Sequence, residues 1–233
     1  MPRLLGWDYT ELPPDARKTF EVALHAGSAP ALAVALRGEL LRDPHLQALT
    51  VLPPALVGLA FERQIEGRFG DVRSVALAQI MGGLALLLAD LRPELRSSPT
   101  AADHLAVGFA QAAALIPGVS RSGSTISAGL FLGMKRETAA RFSFLMSLPA
   151  IVLAALFEMR GVVSGSDALE TKAGESISAG EVVVSCLFAF VVGYFAIAFL
   201  LRFLTRHGLE VFVVYRIVLG VAVLALTASG AIH

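Results

Sequence analysis

A short stretch in the middle of the chain combines hydroxyl groups, glycines and one arginine. Its hydroxyl-bearing and glycine residues are Ser120, Ser122, Ser124, Thr125, Gly118 and Gly123, and Arg121 lies among them. Serine and threonine are favoured N-caps, and a helix N-terminus presents free N–H groups and positive charge to an anion. The Arg121 guanidinium adds a planar fork of donors that fits phosphate oxygens. The stretch therefore predicts a binding site for a phosphate or a carboxylate.

Two apolar runs, residues 105–116 and 126–134, flank this stretch. Each is shorter than the ~20 residues that a helix needs to cross a bilayer. Irregular backbone at membrane depth is tolerated where it is buried in protein or lines a wet cavity, and an ionisable residue there indicates function. We therefore expect a re-entrant helical hairpin around residues 105–134. The alternative is an ordinary turn outside the membrane, with Arg121 at the lipid headgroups.

The composition indicates an all-α polytopic membrane protein. Of the 233 residues, 55% are hydrophobic and 16% are charged, against about 25% charged in soluble domains. The length predicts a single integral-membrane domain over residues 1–233, with about six or seven spanning segments. The formal net charge is zero, which gives no indication of a nucleic-acid partner. The single Cys186 excludes an intramolecular disulfide, and the N-terminus lacks the apolar core of a signal peptide.

Apolar segments are predicted along the rest of the chain at residues 20–36, 46–61, 74–89, 141–159, 181–201 and 211–228. The connections between them are predicted to be polar loops, at residues 37–45, 62–73, 90–103 and 160–179. Acidic residues at segment ends, such as Asp90 and Asp103, are expected to be solvated. Lysine and arginine are spread evenly over the connections, so the positive-inside rule predicts no orientation.

The sequence also contains signs of an internal repeat. A shift of 138 residues sets Arg68-Phe69-Gly70 on Arg206-His207-Gly208, and Ile80-Met81-Gly82 on Val218-Leu219-Gly220. The repeat predicts two halves, about residues 1–90 and 104–230. Membrane proteins built from inverted repeats commonly place their site where the repeats meet.

A weaker match sets Phe20 against Phe142, and it predicts that one element is missing. The polar stretch precedes the Phe142 helix, so its counterpart should precede Phe20. The 19 residues before Phe20 contain no apolar half-helix. The first half is therefore expected to lack its re-entrant element.

Residues 111–125, which contain Pro-Gly-Val-Ser-Arg-Ser-Gly at 117–123, and residues 140–150 closely resemble the second signature of the undecaprenyl-diphosphatase (bacitracin-resistance) family. Residues 20–27, 54–62 and 215–220 resemble further segments of that family. The resemblance implies an enzyme of the bacterial plasma membrane with inverted repeats and two re-entrant hairpins. It implies hydrolysis of a C55 isoprenyl diphosphate to the monophosphate, which recycles the carrier lipid of cell-wall synthesis.

The resemblance also implies roles for residues of the polar stretch. Arg121 would clamp the diphosphate, and Ser120 or Ser122 would orient the phosphate or act as nucleophile. The residues expected to contact the substrate around them are Gly118, Gly123, Ser124 and Thr125. A divalent cation, Mg²⁺ or Ca²⁺, is implied as cofactor, but its ligands are not identifiable in this sequence.

The sequence departs from the family in one respect. The family's first signature, a glutamate-rich helix leading into a Pro-x-Ser-Ser-Ser-Gly-His loop, has no counterpart here. The family assigns to that signature the acidic residues linked to metal and the histidine linked to acid–base chemistry. The chain as written is therefore expected to be a weak or inactive diphosphatase. Either Met1 is a miscalled or truncated start, or the chain is a shortened paralogue.

Two further alternatives follow from this departure. Glu21 and His25 could supply the missing base, since histidine titrates near neutral pH, although a histidine beside glycine and serine in a helix is more often a packing residue. A protein that binds or translocates a lipid phosphate without cleaving it is the non-enzymatic alternative, because transporters share the inverted-repeat architecture. Nothing specific in the sequence favours a purely structural membrane subunit.

Overall fold

The computed structural model describes residues 14–40, 44–163 and 179–230, and helices account for most of them. These helices are α1 (Pro14–Ala35), α2 (Arg37–Leu40), α3 (Pro44–Phe69), α4 (Val72–Asp90), α5 (Ala101–Ala113), α6 (Arg121–Phe131), α7 (Arg136–Val163), α8 (Ala179–Leu204) and α9 (Glu210–Ala228). Within the described ranges there is no strand, only an isolated bridge. Helix α4, helix α9 and the Val183–Leu204 part of α8 are long and apolar enough to cross a membrane. The predicted all-α membrane class is confirmed.

The chain divides into two compact units. One comprises Met1–Arg37 and Leu148–Ala198, and the other comprises Gly38–Ser147 and Phe199–His233. In the first unit α1 packs closely on α8, because a Cβ at Gly27 would lie 2.3 Å from the carbonyl oxygen of Cys186. The second unit contains α3 to α6, α9 and the polar stretch, and it is the unit that carries the site.

Helices α4 and α9 form the central pair of the second unit. A Cβ at Gly220 of α9 would lie 2.6 Å from the side chain of Ile80 and 2.9 Å from the carbonyl oxygen of Ala76, both on α4. Asp90, at the end of α4, accepts a hydrogen bond of 3.1 Å from the backbone N–H of Leu209, just before α9. Asp90 also pairs with Arg136, the first residue of α7. The charged ends of three helices are thus connected. The expected solvation of Asp90 was wrong, because its side chain is paired and only 6% exposed.

The connection between α4 and α5 is fastened by Arg96. Its guanidinium donates to both carboxylate oxygens of Asp103 at 2.6 and 2.7 Å, and to the carbonyl oxygen of Leu132. Asp103 lies in the first turn of α5, and Leu132 follows the last residue of α6. One arginine therefore holds the outer ends of both short helices. The expected solvation of Asp103 was wrong: the residue is 2% exposed because Arg96 and Thr100 satisfy its oxygens.

The predicted loops differ from the structure in two places. Helix α3 continues to Phe69, so most of the predicted loop at 62–73 is helical, and α2 occupies part of the predicted loop at 37–45. Hydropathy identifies only the apolar part of a helix, so a charged helix end is predicted to be a loop. Most of the predicted loop at 160–179 and residues 1–13, where the first re-entrant element is expected to be missing, lie outside the described residues.

Candidate functional site

The site is built on the pair of short helices α5 and α6, which have 13 and 11 residues. Thr100 and Asp103 form a capping box at the start of α5. The side-chain amide of Gln111 on α5 donates to the carbonyl oxygen of Thr50 on α3 at 3.2 Å. The hydroxyl of Ser124 on α6 donates to the carbonyl oxygen of Ala110 on α5 at 2.8 Å. These bonds join the two short helices to each other and to α3.

The loop that joins α5 to α6 has two unusual backbone conformations. Gly118 has φ +93°, and a Cβ there would lie 2.3 Å from the carbonyl oxygen of Val75 on α4. Glycine is therefore needed for both the dihedral and the close approach. Ser120 has φ 60° and ψ 115°, and among the described residues it is the one non-glycine residue with a positive φ. Backbone strain of this kind is concentrated at functional sites.

Ser120, one of the four hydroxyl-bearing residues that the sequence offers as N-caps, is the N-cap of α6. Its hydroxyl oxygen accepts a 3.3 Å hydrogen bond from the N–H of Gly123 and lies 3.5 Å from the hydroxyl of Ser122. The N–H groups of Arg121 and Ser122, in the first turn, have no acceptor among the described residues. The first N–H groups of a helix lack intrahelical partners and favour an anion. The start of α6 thus presents free donors that suit an anion such as phosphate. The N–H groups of Arg121 and Ser122 and the hydroxyls of Ser120 and Ser122 are here termed the phosphate cradle.

A cavity of about 250 Å³ lies at this end of α6, and all of its lining residues belong to the second unit. Its polar lining residues are Ser120, Ser122, Gly123, Gln79, Tyr215 and Arg216. Its apolar lining residues are Leu86, Ile126, Phe144, Leu200, Leu204, Leu209 and Phe212. The cavity therefore joins a polar end, where hydrogen-bond donors converge, to a wall of leucine and phenylalanine side chains.

Arg216 is the cation that lines this cavity. It lies in the middle of α9, is 5% exposed, and donates through Nη2 to the carbonyl oxygens of Gly118 and Val119 at 3.1 and 3.2 Å. Sequence reasoning missed this residue, although its segment, 215–220, resembles the family. An arginine within an apolar spanning helix is in itself a signal of function.

The residues predicted for the site fall into two groups. Ser120, Ser122 and Gly123 line the cavity. The hydroxyls of Ser124 and Thr125 point into the protein instead: both donate to the carbonyl oxygen of Arg121, and Thr125 also lies 2.6 Å from the hydroxyl of Ser143. These two hydroxyls hold the first turn of α6 in place. Gly118 packs on α4, so its open side is filled by protein rather than by a ligand.

Arg121 is the first residue of α6 and lies between two residues that line the cavity, although it is not among the lining residues itself. Its side chain is half-buried. No ion pair to Arg121 exists within the described part of the chain. A cation in this environment without a counter-charge favours an anionic ligand.

The divalent cation implied by the family resemblance does not fit the side chains that are described. Within residues 14–40, 44–163 and 179–230, no group of three or more His, Cys, Asp or Glu side chains is placed to hold a metal ion. The side chains of Glu21 and His25, the candidate substitutes for the missing base, lie outside the described residues.

Comparisons with known proteins identify relatives along nearly the whole chain. The family model described as bacitracin resistance protein BacA matches residues 1–222. The undecaprenyl-diphosphatase of Pelobacter propionicus is 39% identical over an alignment of 254 positions, gaps included, that covers 99% of this chain and 88% of the relative. Undecaprenyl-diphosphatase 3 of Frankia alni is 43% identical over 202 residues, covering 80% of this chain and 67% of the relative. The undecaprenyl-diphosphatase of Chromohalobacter salexigens is 37% identical over an alignment of 248 positions, gaps included, that covers 97% of this chain and 88% of the relative.

Proposed function

Because this chain belongs to the bacitracin resistance protein BacA family, we propose that it hydrolyses undecaprenyl diphosphate to undecaprenyl phosphate and inorganic phosphate. Relatives that carry the name undecaprenyl-diphosphatase align with almost all of the chain. The geometric observation that carries the proposal is the cavity, which joins the phosphate cradle at Ser120 to an apolar wall. A lipid with a diphosphate head needs both surfaces side by side.

The protein is a multi-pass membrane protein, and its substrate is a membrane lipid. We place it in the bacterial plasma membrane, where it regenerates the carrier lipid for cell-wall synthesis and contributes to bacitracin resistance. Its exposed leucine, valine and phenylalanine side chains on α4, α8 and α9 are suited to lipid contact. Transfer of such side chains out of water is favourable by roughly 1.5–3 kcal/mol each.

The reaction breaks the bond between the terminal phosphorus and the bridging oxygen, and a water oxygen forms the new bond to phosphorus. Undecaprenyl phosphate leaves with the bridging oxygen. Phosphoryl transfer depends mainly on positioning and on neutralising charge. The free N–H groups at the start of α6 and the hydroxyls of Ser120 and Ser122 would hold the terminal phosphate, while Arg121 neutralises part of its charge.

An orienting role for Ser120 and Ser122 is better supported than a nucleophilic one. A serine nucleophile requires a base within hydrogen-bond reach. Within the described residues neither hydroxyl is bonded to a histidine or a carboxylate, and the oxygen of Ser120 already accepts from Gly123. We therefore assign these hydroxyls to binding and orientation of the phosphate.

We also propose that the chain is built from two inverted repeats with a re-entrant hairpin at α5 and α6, and the helix lengths support this. Helices α4 and α9 both have 19 residues and begin 138 residues apart, which is the shift that aligns the two halves of the sequence. Helices α3 and α8 both have 26 residues. The shortness of α5 and α6 supports a re-entrant hairpin, because neither could cross a bilayer.

A divalent cation also remains a proposal, and it rests on the family resemblance alone. Bound metal would neutralise charge on the diphosphate. Since the described side chains do not supply a ligand set, no step of the reaction is assigned to a metal here.

The test is release of inorganic phosphate by the purified chain from undecaprenyl diphosphate, with the lipid product analysed in parallel. We expect phosphate and undecaprenyl monophosphate in equal amounts. Arg121→Ala should lower the rate at least tenfold. The matched control is Arg206→Ala, which removes an exposed arginine outside the site. Tight binding of the lipid without phosphate release would contradict the proposal and support the carrier alternative.

A further inference from the structure

Arg216 uses only part of its hydrogen-bonding capacity. Its guanidinium carries five N–H donors, one on Nε and two on each of Nη1 and Nη2. Nη2 contacts the carbonyl oxygens of Gln79, Gly118 and Val119. Nε is buried and has no hydrogen-bond partner among the residues that the structure describes. No acceptor within the described residues receives a bond from Nη1. The bonds that fix the loop therefore occupy Nη2 alone.

Nη1 is the Arg216 atom nearest to Gly123, in the first turn of α6. A Cβ at Gly123 would lie 3.2 Å from Nη1 of Arg216 and 3.3 Å from the hydroxyl oxygen of Ser120. Both atoms therefore converge on the open face of Gly123, which lines the cavity together with Ser120 and Arg216. The absence of a side chain at this position leaves room between a cationic donor and the N-cap hydroxyl.

The charge of Arg216 is also uncompensated within the described part of the chain. No carboxylate there pairs with it, and its hydrogen bonds go to three neutral carbonyl oxygens. Burying an unpaired charge is costly unless a counter-charge is supplied. An anion at the polar end of the cavity would supply it.

We propose that Arg216 binds the terminal phosphate of the substrate through Nη1, while Nη2 fixes the loop that presents Ser120. The identity of the lipid substrate rests on the proposed function, whereas the binding of a phosphate group by Arg216 does not. The cavity then offers one cation from α9 beside the N-terminus of α6. Arg121 lies between two lining residues in the first turn of α6 but does not itself line the cavity. Arg216 is therefore the arginine that can contact a phosphate in the cavity, and Arg121 adds a second positive charge nearby.

The experiment compares Arg216→Lys and Arg216→Ala with the wild type and with Arg206→Ala. It measures kcat and KM for undecaprenyl diphosphate, and the Kd for inorganic phosphate by equilibrium binding. Arg216→Lys keeps the charge but loses the fork geometry. We expect KM and the phosphate Kd to rise at least tenfold in both variants. Added guanidinium ion should restore phosphate binding to Arg216→Ala.

A variant that retains Arg216 keeps the inference testable if these proteins misfold. In Gly123→Ala the added methyl group occupies the space between Nη1 and Ser120, whereas the bonds of Nη2 to the loop remain. The phosphate Kd should rise at least fivefold in this variant. Gly67→Ala, where nothing lies within 4 Å of the added Cβ, is the control and should leave the Kd unchanged.

The outcomes separate this inference from the proposed function. If the wild type binds phosphate through Arg216 but releases none from the lipid, the proposed function fails and the inference stands. If the wild type hydrolyses the lipid while Arg216→Lys and Gly123→Ala keep wild-type KM and phosphate Kd, the inference is overturned and the function stands. A fall in kcat alone, with KM and Kd unchanged, would also overturn it and leave Arg216 as a positioning residue.

Discussion

Nη2 of Arg216 occupies the space that a side chain at Gly82 would fill: a Cβ there would lie only 2.2 Å from this nitrogen. Gly82 is on α4 and Arg216 is on α9, so the two spanning helices are in contact at the cation of the cavity. The same nitrogen reaches the loop before α6. The helix pair and the phosphate cradle are thus connected through one guanidinium.

Gly82→Ala should impair the site without weakening α4. Alanine is favoured over glycine in a helix by about 1 kcal/mol, but the added methyl group displaces the Arg216 guanidinium. We expect kcat/KM for undecaprenyl diphosphate to fall at least tenfold. Gly67→Ala on α3 adds a methyl group in open space and should keep the wild-type value. Wild-type kinetics in Gly82→Ala would contradict this role of the glycine.

Two substitutions of Ser120 should separate stability from activity. Ser120→Ala loses the N-cap, which costs about 1 kcal/mol, and keeps an unfavourable backbone at φ 60°. Ser120→Gly removes that backbone strain, which costs roughly 1–3 kcal/mol of folding free energy. The glycine variant should therefore unfold at a higher temperature than the alanine variant in detergent, while both lose activity at least tenfold. Equal unfolding temperatures would indicate that Ser120 is not strained.

The short helices were predicted from the sequence because their causes are local. Two apolar runs too short to span a bilayer, separated by Pro117 and Gly118, indicate a broken hairpin, and Ser120 is a favoured N-cap. The part played by Arg216 is not local. Its partners are 97 and more residues away, and only the packing of α9 on α4 brings them together.

Burial of charges was the other property that sequence reasoning did not predict. Arg96 and Asp103 are both within residues 90–103, which the sequence predicts to be a solvated polar loop. The carbonyl oxygen of Leu132, 36 residues further on, completes the binding of Arg96. The stability of residues 90–103 therefore depends on a contact with Leu132 that no local sequence pattern predicts.

The Arg96–Asp103 pair should make stability depend on pH. Burial alone would raise the pKa of the Asp103 carboxyl, but hydrogen bonds from Arg96 and Thr100 hold that pKa below its ordinary value of 3.8. Because the folded pKa is depressed, the stabilisation is present above the unfolded pKa and is lost as pH falls through the folded pKa.

Asp103→Asn should therefore destabilise the protein near neutral pH, by about 2 kcal/mol for a hydrogen-bonded charge. The unfolding temperatures of the variant and the wild type are measured in detergent from pH 7 to pH 3. Their difference should be constant down to about pH 4 and then shrink. A difference that grows as the pH falls would contradict this assignment.

The buried hydroxyl pair of Thr125 and Ser143 should show coupling. Thr125→Val leaves the Ser143 hydroxyl without its 2.6 Å partner, and an unsatisfied buried hydroxyl costs about 1–3 kcal/mol. The double variant with Ser143→Ala removes both groups, so it should be less destabilised than the two single changes added together. A double-mutant cycle of unfolding free energies measures this coupling, and strict additivity would argue against the bond.

Protection of position 122 from a thiol reagent tests most directly whether the phosphate binds at the start of α6. Ser122→Cys places an exposed thiol on the cavity, Ser97→Cys places one on the polar connection as control, and the parent chain with Cys186 alone gives the background. Bound lipid is quantified in the same samples with radiolabelled undecaprenyl diphosphate. We predict that bound lipid slows maleimide labelling of Ser122→Cys at least tenfold and leaves the labelling of Ser97→Cys unchanged. Unchanged labelling of Ser122→Cys in a sample that holds the lipid would contradict it.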